Sequence, residues 1–178
     1  MSKKVLVLSS SPRKGGNSDI LCDQFMQGAD ESGHAVEKIF LRDKDIQYCV
    51  ACYACRGKGD CCQKDDMQDI LTKMIAADVI VMASPVYFYT IDAQMKTLID
   101  RCVARYTEIV NKELYFIITA ADSSIPMMSR TIECFRGFAD CLAGACEKGI
   151  IYGVGAWEIG DIKRTKAMQQ AYDMGRNV

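Results

Sequence analysis

The order of elements along this chain predicts an α/β fold: a five-stranded parallel sheet of order 2-1-3-4-5 with helices on both faces, in one domain spanning 1–178. Three observations carry that reading. Short apolar runs alternate with segments of helical period, and the first run leads directly into a serine- and glycine-rich loop that opens a helix. A length of 178 residues, 49% hydrophobic and 25% charged, is enough for one full core and too short for two.

Residues 4–9 (Lys-Val-Leu-Val-Leu-Ser) form a continuous apolar run, as suits a strand buried on both faces. In 18–32, Leu21, Phe25 and Ala29 recur at helical spacing. The stretch 35–41 alternates, as a strand nearer the sheet edge does. Residues 42–65 follow as the one long irregular segment, and a loop of that length in a compact domain usually has a function. A helix resumes with Met67, Ile70, Leu71, Met74 and Ile75 on one face. Residues 79–83 (Val-Ile-Val-Met-Ala) read as a second buried strand, and Pro85 is expected to fix the turn that ends it. Helix 93–106, strand 114–119, helix 129–143, a short strand at 149–152 and helix 165–176 complete the set, with Met168, Ala171 and Tyr172 facing inward from the last.

A net charge of −1 gives no general attraction to nucleic acid or to an anionic membrane. No stretch approaches a membrane span, and the four-residue apolar run before Ser9 reads as a first strand in place of a signal peptide. Ten cysteines without a secretory signal point to a cytoplasmic protein, whose thiols bind metals or do redox work. Cys22, Cys102, Cys134 and Cys141 fall in helical patterns and read as small buried hydrophobes. His34 is the one histidine, in the turn before the second strand, so Ser-His or Cys-His nucleophilic catalysis is not expected.

Two loops carry the binding chemistry. Ser9-Ser10-Ser11-Pro12-Arg13-Lys14-Gly15-Gly16-Asn17-Ser18 joins the first strand to a helix N-terminus, where free N–H groups and the positive end of the helix dipole favour a phosphate. Ser9, Ser11, Asn17 and Ser18 add donors, Arg13 adds charge, and the paired glycines let the backbone approach the ligand. An ordinary N-cap at Asn17 or Ser18 is the plain alternative. Neither a Walker spacing nor a dinucleotide fingerprint is present; Gly153-Val-Gly155 with Gly160 has the wrong spacing and follows the last strand. After the next strand in the sheet comes Ser84-Pro85-Val86-Tyr87-Phe88-Tyr89. Strands 1 and 3 flank the switch point of a 2-1-3-4-5 sheet, so this loop meets the serine loop, and the backbone of Val86, Tyr87 and Phe88 can hydrogen-bond a planar heterocycle.

The third feature is Cys49-x2-Cys52-x2-Cys55-x5-Cys61, four thiols in thirteen residues. That spacing suits an iron-sulfur cluster and fits structural zinc poorly, because the third cysteine comes too soon for a second knuckle; a metal-free or reversibly oxidised loop is the further alternative. Cys62 leaves open which of Cys61 and Cys62 is the fourth ligand. Asp65-Asp66 reads as the N-cap and first-turn charge of the next helix, and Trp157 as a packing residue, with a contact at a ligand's edge as its alternative.

Ser9-x-Ser11-Pro12-Arg13-x3-Asn17-Ser18, then Ser84-Pro85-Val86-Tyr87 with Lys96 and Asp100-Arg101, resemble the flavodoxin-like NAD(P)H-dependent FMN reductases. The cysteine loop followed by Asp65-Asp66-Met67, and the stretch Gly153-x-Gly155-Ala156-Trp157-x2-Gly160-Asp161-Ile162, resemble their iron-sulfur flavoprotein branch. The resemblance implies an FMN-dependent oxidoreductase with a flavodoxin-like three-layer sandwich. By position, Ser9, Ser11, Pro12, Arg13, Asn17 and Ser18 would bind the FMN phosphate, and Pro85, Val86, Tyr87 and Phe88 would flank the flavin ring. Residues 120–123 occupy the place of a further flavin-side loop. Cys49, Cys52, Cys55 and Cys61 would hold a [4Fe-4S] cluster. NAD(P)H is implied as co-substrate, a small-molecule acceptor or a redox protein such as ferredoxin as partner, and a homodimer or homotetramer as the assembly. The flavin carries the chemistry, so no catalytic acid or base is expected.

Overall fold

The computed structural model describes residues 1–178. Five parallel strands, β1 (Lys4–Ser9), β2 (Ala35–Phe40), β3 (Val79–Tyr87), β5 (Glu113–Thr119) and β6 (Cys146–Gly153), stand in the order β2-β1-β3-β5-β6. This is the expected 2-1-3-4-5 order, with a two-residue sixth strand, β4 (Thr90–Ile91), folding back on β3. The helices are α1 (Asn17–Glu31), α2 (Met67–Ala76), α3 (Ala93–Arg101), α4 (Ser129–Ala139) and α5 (Ala167–Arg176).

Period-two alternation along the central strands divides the core into two layers. Leu6 and Leu8 of β1, Ile80 and Met82 of β3 and Leu114, Phe116 and Ile118 of β5 pack with α2, α3 and α4. Val5 and Val7, Val79 and Val81, and Tyr115 and Ile117 face the other way and pack with α1 and α5. Both faces are covered, which is why these strands read as continuous apolar runs. On the second face α1 and α5 touch backbone to backbone: a Cβ at Gly28 would overlap the carbonyl of Tyr172, and one at Gly175 would overlap that of Phe25.

Several boundaries differ from the sequence expectation. β3 runs through Pro85 to Tyr87 instead of turning there. Ala83 accepts from Ser10 N–H on the β1 side, so Pro85, two residues on, faces the same side beyond the end of β1, where a missing N–H costs no ladder bond. The chain turns at Phe88 and Tyr89, both at positive φ (49° and 63°), in a two-residue hairpin loop of the type I′ kind. β6 starts at Cys146, ahead of residue 149, across an irregularity opposite Leu114 and Tyr115. α3 stops at Arg101 and gives way to 3-10 turns at Cys102–Ala104 and Tyr106–Glu108. α4 stops at Ala139, which leaves Cys141 exposed, and Cys134 inside α4 is half-buried; only Cys22 and Cys102 of that group are buried in the core.

Candidate functional site

The loops at the carboxyl ends of β1, β3, β5 and β6 converge on a cleft of about 490 Å3, a size suited to a cofactor. Arg13 and Asn17 contribute from the first loop, Pro85, Val86, Tyr87 and Phe88 from the hairpin, residues 119–121 from the third loop, and Ala156 and Trp157 from the fourth. The expected meeting of the serine and aromatic loops therefore occurs, and the flavin-side loop at 120–123 shares in it. Trp157 departs from its expected packing role: it is 70% exposed and forms part of the cleft wall, because residues 154–159 lie outside the sheet.

The start of α1 has free donors of the kind that hold an anion. Gly16 is its N-cap and supplies no side-chain cap, so the first-turn N–H groups have no acceptor within the helix. A Cβ at Gly16 would stand 2.7 Å from Ser11 Oγ and 2.8 Å from the Arg13 carbonyl, so the tight loop admits only glycine there. The Ser18 hydroxyl is buried without a hydrogen-bond partner. Such a group is costly in a folded protein, and a bound phosphate oxygen would satisfy it. The other expected phosphate residues are partly committed to the protein. Ser9 Oγ donates to Asp19 Oδ1 (3.2 Å), and Ser11 Oγ both donates to the Arg13 carbonyl and accepts from its N–H. The Pro12 carbonyl accepts from Arg42. Asn17 donates to the carbonyls of Ala156 and Glu158 and accepts from the N–H groups of Gly160 and Ile162, which ties the last loop to the first. Asp19 was not evident from the sequence as a site residue. Its carboxylate accepts from Ser9, from Gly15 N–H and from Lys38 Nζ, so it fixes the loop from beneath. An acid in the first turn of α1 was the available signal.

On the other side of the cleft, the hairpin places Phe88, 99% exposed, at its tip. Two aromatic residues in the left-handed region store strain, as ligand-contacting turns often do. Asp92, the N-cap of α3, supports this hairpin: its N–H donates to Ser84 Oγ (2.9 Å), and its Oδ1 accepts from Met95 N–H (3.0 Å). Its other oxygen is buried without a partner. Burial pushes the Asp92 carboxyl up to about 6 from an ordinary 3.8, against the opposing pull of the Met95 N–H. A raised folded-state pKa means that the fold favours the protonated form. The stabilisation is complete below 3.8 and is lost as pH rises through about 6, amounting to about 3 kcal/mol. Urea unfolding across that window should show this loss in the wild type and not in Asp92→Asn; parallel curves for the two proteins would refute it.

The cysteine loop forms a second site. Cys49, Cys52, Cys55 and Cys61 all line one cavity of about 630 Å3, together with Arg101 and Tyr106. Cys62 does not line it, and its sulfur lies 3.6 Å from Cys52 Sγ. The Ala54 N–H, with help from Cys62, holds the Cys52 thiol below its usual pKa, and Cys52 in turn raises that of Cys62. The donor set is four soft sulfurs around one space, which suits iron-sulfur chemistry. The sulfurs surround the cavity without three of them closing to metal-binding distance. Ligation therefore requires the loop to contract. Burial keeps the Cys22 and Cys102 thiols protonated, which excludes them as ligands.

Asp65 and Asp66 correct the capping expectation. Asp66 stands at the N-cap of α2, but its side chain accepts from Asp45 N–H and makes no cap bond. Asp65 does accept from Met67 N–H, yet its main partner is Arg101, in a bidentate pair with 2.6 and 3.0 Å contacts and both side chains almost fully buried. Burial works against its charge, but Arg101 and the N–H groups of Gln47 and Met67 outweigh it and hold the Asp65 carboxyl below the usual range. His34 joins the chain ends: Nδ1 accepts from Lys3 N–H, which leaves Nε2–H to donate to the Val178 carbonyl. No helix is long and apolar enough to cross a membrane.

The chain is 41% identical over 98 residues to an iron-sulfur flavoprotein of Archaeoglobus fulgidus, covering 55% of this chain and 44% of that one. It is 40% identical over 100 residues to an iron-sulfur flavoprotein of Methanosarcina thermophila, covering 56% of this chain and 52% of the other. The chain thus spans about half the length of the curated relatives it matches. Among solved structures, an azoreductase from Bacillus anthracis str. Sterne superposes over the whole of both chains with a TM-score of 0.78 at 17% identity, a likeness of fold. The family profile described as NADPH-dependent FMN reductase matches residues 3–130, the part that contains the serine loop, the cysteine loop and the aromatic hairpin. With the sheet order and the cleft agreeing with that match, the chain belongs to the NADPH-dependent FMN reductase family.

Proposed function

We propose that this chain is an FMN-dependent oxidoreductase working in the cytoplasm. It would take electrons from NAD(P)H or a protein donor and pass them to a quinone, a flavin, another small acceptor or a redox protein such as ferredoxin. The observation that carries this is the start of α1: a partnerless buried Ser18 hydroxyl among uncapped N–H groups, at the end of a cleft of cofactor size. When bound, FMN supplies the hydride and electron transfer.

The residues of the chain bind and orient. Ser11, Arg13 and Ser18 with the first-turn N–H groups would hold the phosphate, and Ser9, Pro12 and Asn17 would shape the loop around it. The backbone of Pro85, Val86, Tyr87 and Phe88 would border the ring on one side and residues 119–121 on the other. Arg13 is the one charged group in the cleft wall, which has no histidine and no carboxylate, and the Tyr87 phenol is the one side chain there with an acidic proton. Cys49, Cys52, Cys55 and Cys61 are proposed as ligands of a [4Fe-4S] cluster, a second electron port. The exposed aromatic rim of Tyr87, Phe88 and Trp157 supports a homodimer or homotetramer.

FMN titration followed by steady-state NAD(P)H oxidation with a quinone or azo dye tests the reading. Uptake of about one FMN per chain with turnover supports it. A chain that binds no FMN refutes it, and one that binds FMN without nicotinamide turnover is a carrier and not an enzyme.

A further inference from the structure

Arg101, the last residue of α3, is the largest side chain fully buried in the molecule. Its Nη1 donates to the Gln47 carbonyl (2.6 Å), to Asp65 Oδ2 (2.6 Å) and, at 3.3 Å, to Gln63 Oε1; its Nη2 donates to Asp65 Oδ1 (3.0 Å). These partners stand at both stems of the cysteine loop: Gln47 just before Cys49, Gln63 and Asp65 just after Cys62. One planar fork therefore closes the loop at its base. A lysine, with a single ammonium, could not reproduce that geometry. Asp65 neutralises the buried cation, so the clamp adds no net charge.

One donor is left over. Arg101 Nε is buried with no acceptor, and Arg101 and Cys61 both form part of the wall of the cavity that the four cysteines surround. A buried N–H without a partner is costly unless a ligand completes it. At its other end α3 begins after Asp92, whose N–H donates to the buried Ser84 Oγ, next in sequence to Pro85 of the cleft wall. Nine residues at 1.5 Å each make α3 a rod of about 13 Å between the cleft and the cavity.

We propose that Arg101 is the positioning residue of the cysteine site: it clamps both stems of the loop to α3 and reserves its Nε–H for a sulfur at Cys61. The second half rests on the reading of the loop as a metal-thiolate site; the clamp does not. When the loop contracts around iron, this N–H would hydrogen-bond a sulfur and raise the reduction potential of the centre.

The test uses the FMN-loaded full chain. Trypsin can cut the loop after Arg56 and Lys58. Because Arg101→Met alone strands a buried carboxylate, R101M/D65M is made beside it, removing both charges. Both variants should be cut at those sites roughly tenfold faster than wild type at unchanged flavin content; unchanged cleavage in the double variant overturns the clamp. In a second arm, wild type and Arg101→Lys are reconstituted anaerobically with ferrous iron and sulfide. The lysine variant should release iron to a chelator several-fold faster and show a lower reduction potential. Behaviour identical to wild type, or a wild type that takes up no iron, overturns the role of Nε. Flavin quantified in the same samples shows failure of the FMN reading separately, since cleavage of the loop is read with or without it.

Discussion

Ser18→Asp is expected to abolish FMN uptake while leaving the apoprotein at least as stable as the wild type. The hydroxyl is buried and partnerless at the second residue of α1, so nothing in the protein depends on it. A carboxylate in a first helical turn interacts favourably with the helix dipole, which supports the empty fold. Against a bound phosphate the same charge is repulsive and occupies the donor position, and a like-charge contact at a desolvated site costs several kcal/mol, a loss of roughly a thousandfold in affinity. Ser18→Ala removes only the hydrogen bond and should weaken binding by about tenfold to a hundredfold. Isothermal titration with FMN and thermal melts with and without it measure both quantities. Excess FMN should raise the melting temperature of the wild type and not that of Ser18→Asp. FMN binding by Ser18→Asp at wild-type affinity would place the phosphate elsewhere.

The second large effect is on stability. Gly175→Val should destabilise the fold by roughly 3–5 kcal/mol, enough to consume much of the stability of an ordinary domain. The added side chain meets the backbone carbonyl of Phe25, which cannot rotate away, so α1 and α5 have to separate and open the core layer behind Phe25, Ala29 and Ala171. Gly28→Val should act in the same way from the opposite helix through the Tyr172 carbonyl. Gly137 is the control. It lies in α4 with nothing near its Cβ position, and Gly137→Ala should stabilise by about 0.5–1 kcal/mol. Denaturant unfolding of the three variants decides it; equal midpoints for Gly175→Val and wild type would mean that the two helices do not pack this closely.

Much of this architecture was legible in the chain because the signals are local. The continuous run from Lys4 to Ser9 requires a strand covered on both faces, and that is where β1 lies, between β2 and β3. The serine loop was readable as a candidate anion site because a helix start following a buried strand has its free N–H groups whatever lies around it; that Gly16 is the cap came from the structure. Boundaries were harder to read. Pro85 has no N–H to give, which suggested a turn, but whether that matters depends on the end of β1 two residues back in register. Cys141 fell in a helical pattern that α4 does not continue.

The side-chain partnerships were not legible for a different reason. Asn17 binds the loop after β6 some 140 residues away, Asp65 binds Arg101 across 36, and Trp157 lines a cleft made mostly by residues from the first two thirds of the chain. Such pairings depend on sheet register and helix packing, which no local pattern encodes.

By itself, the sequence determined that this chain is a doubly wound sheet with a serine- and glycine-rich turn at a helix start, an aromatic loop beside it and a compact set of four cysteines. These follow from strand and helix periods, from the donors that a helix start leaves free, and from the spacing of thiols along one loop. Only the tertiary structure decided that Cys61 faces the shared cavity while Cys62 turns toward Cys52, and that one buried arginine holds both stems of that loop. The direction of a side chain on an irregular loop is set by what packs against it. Here that is the end of α3, which arrives from a different part of the chain.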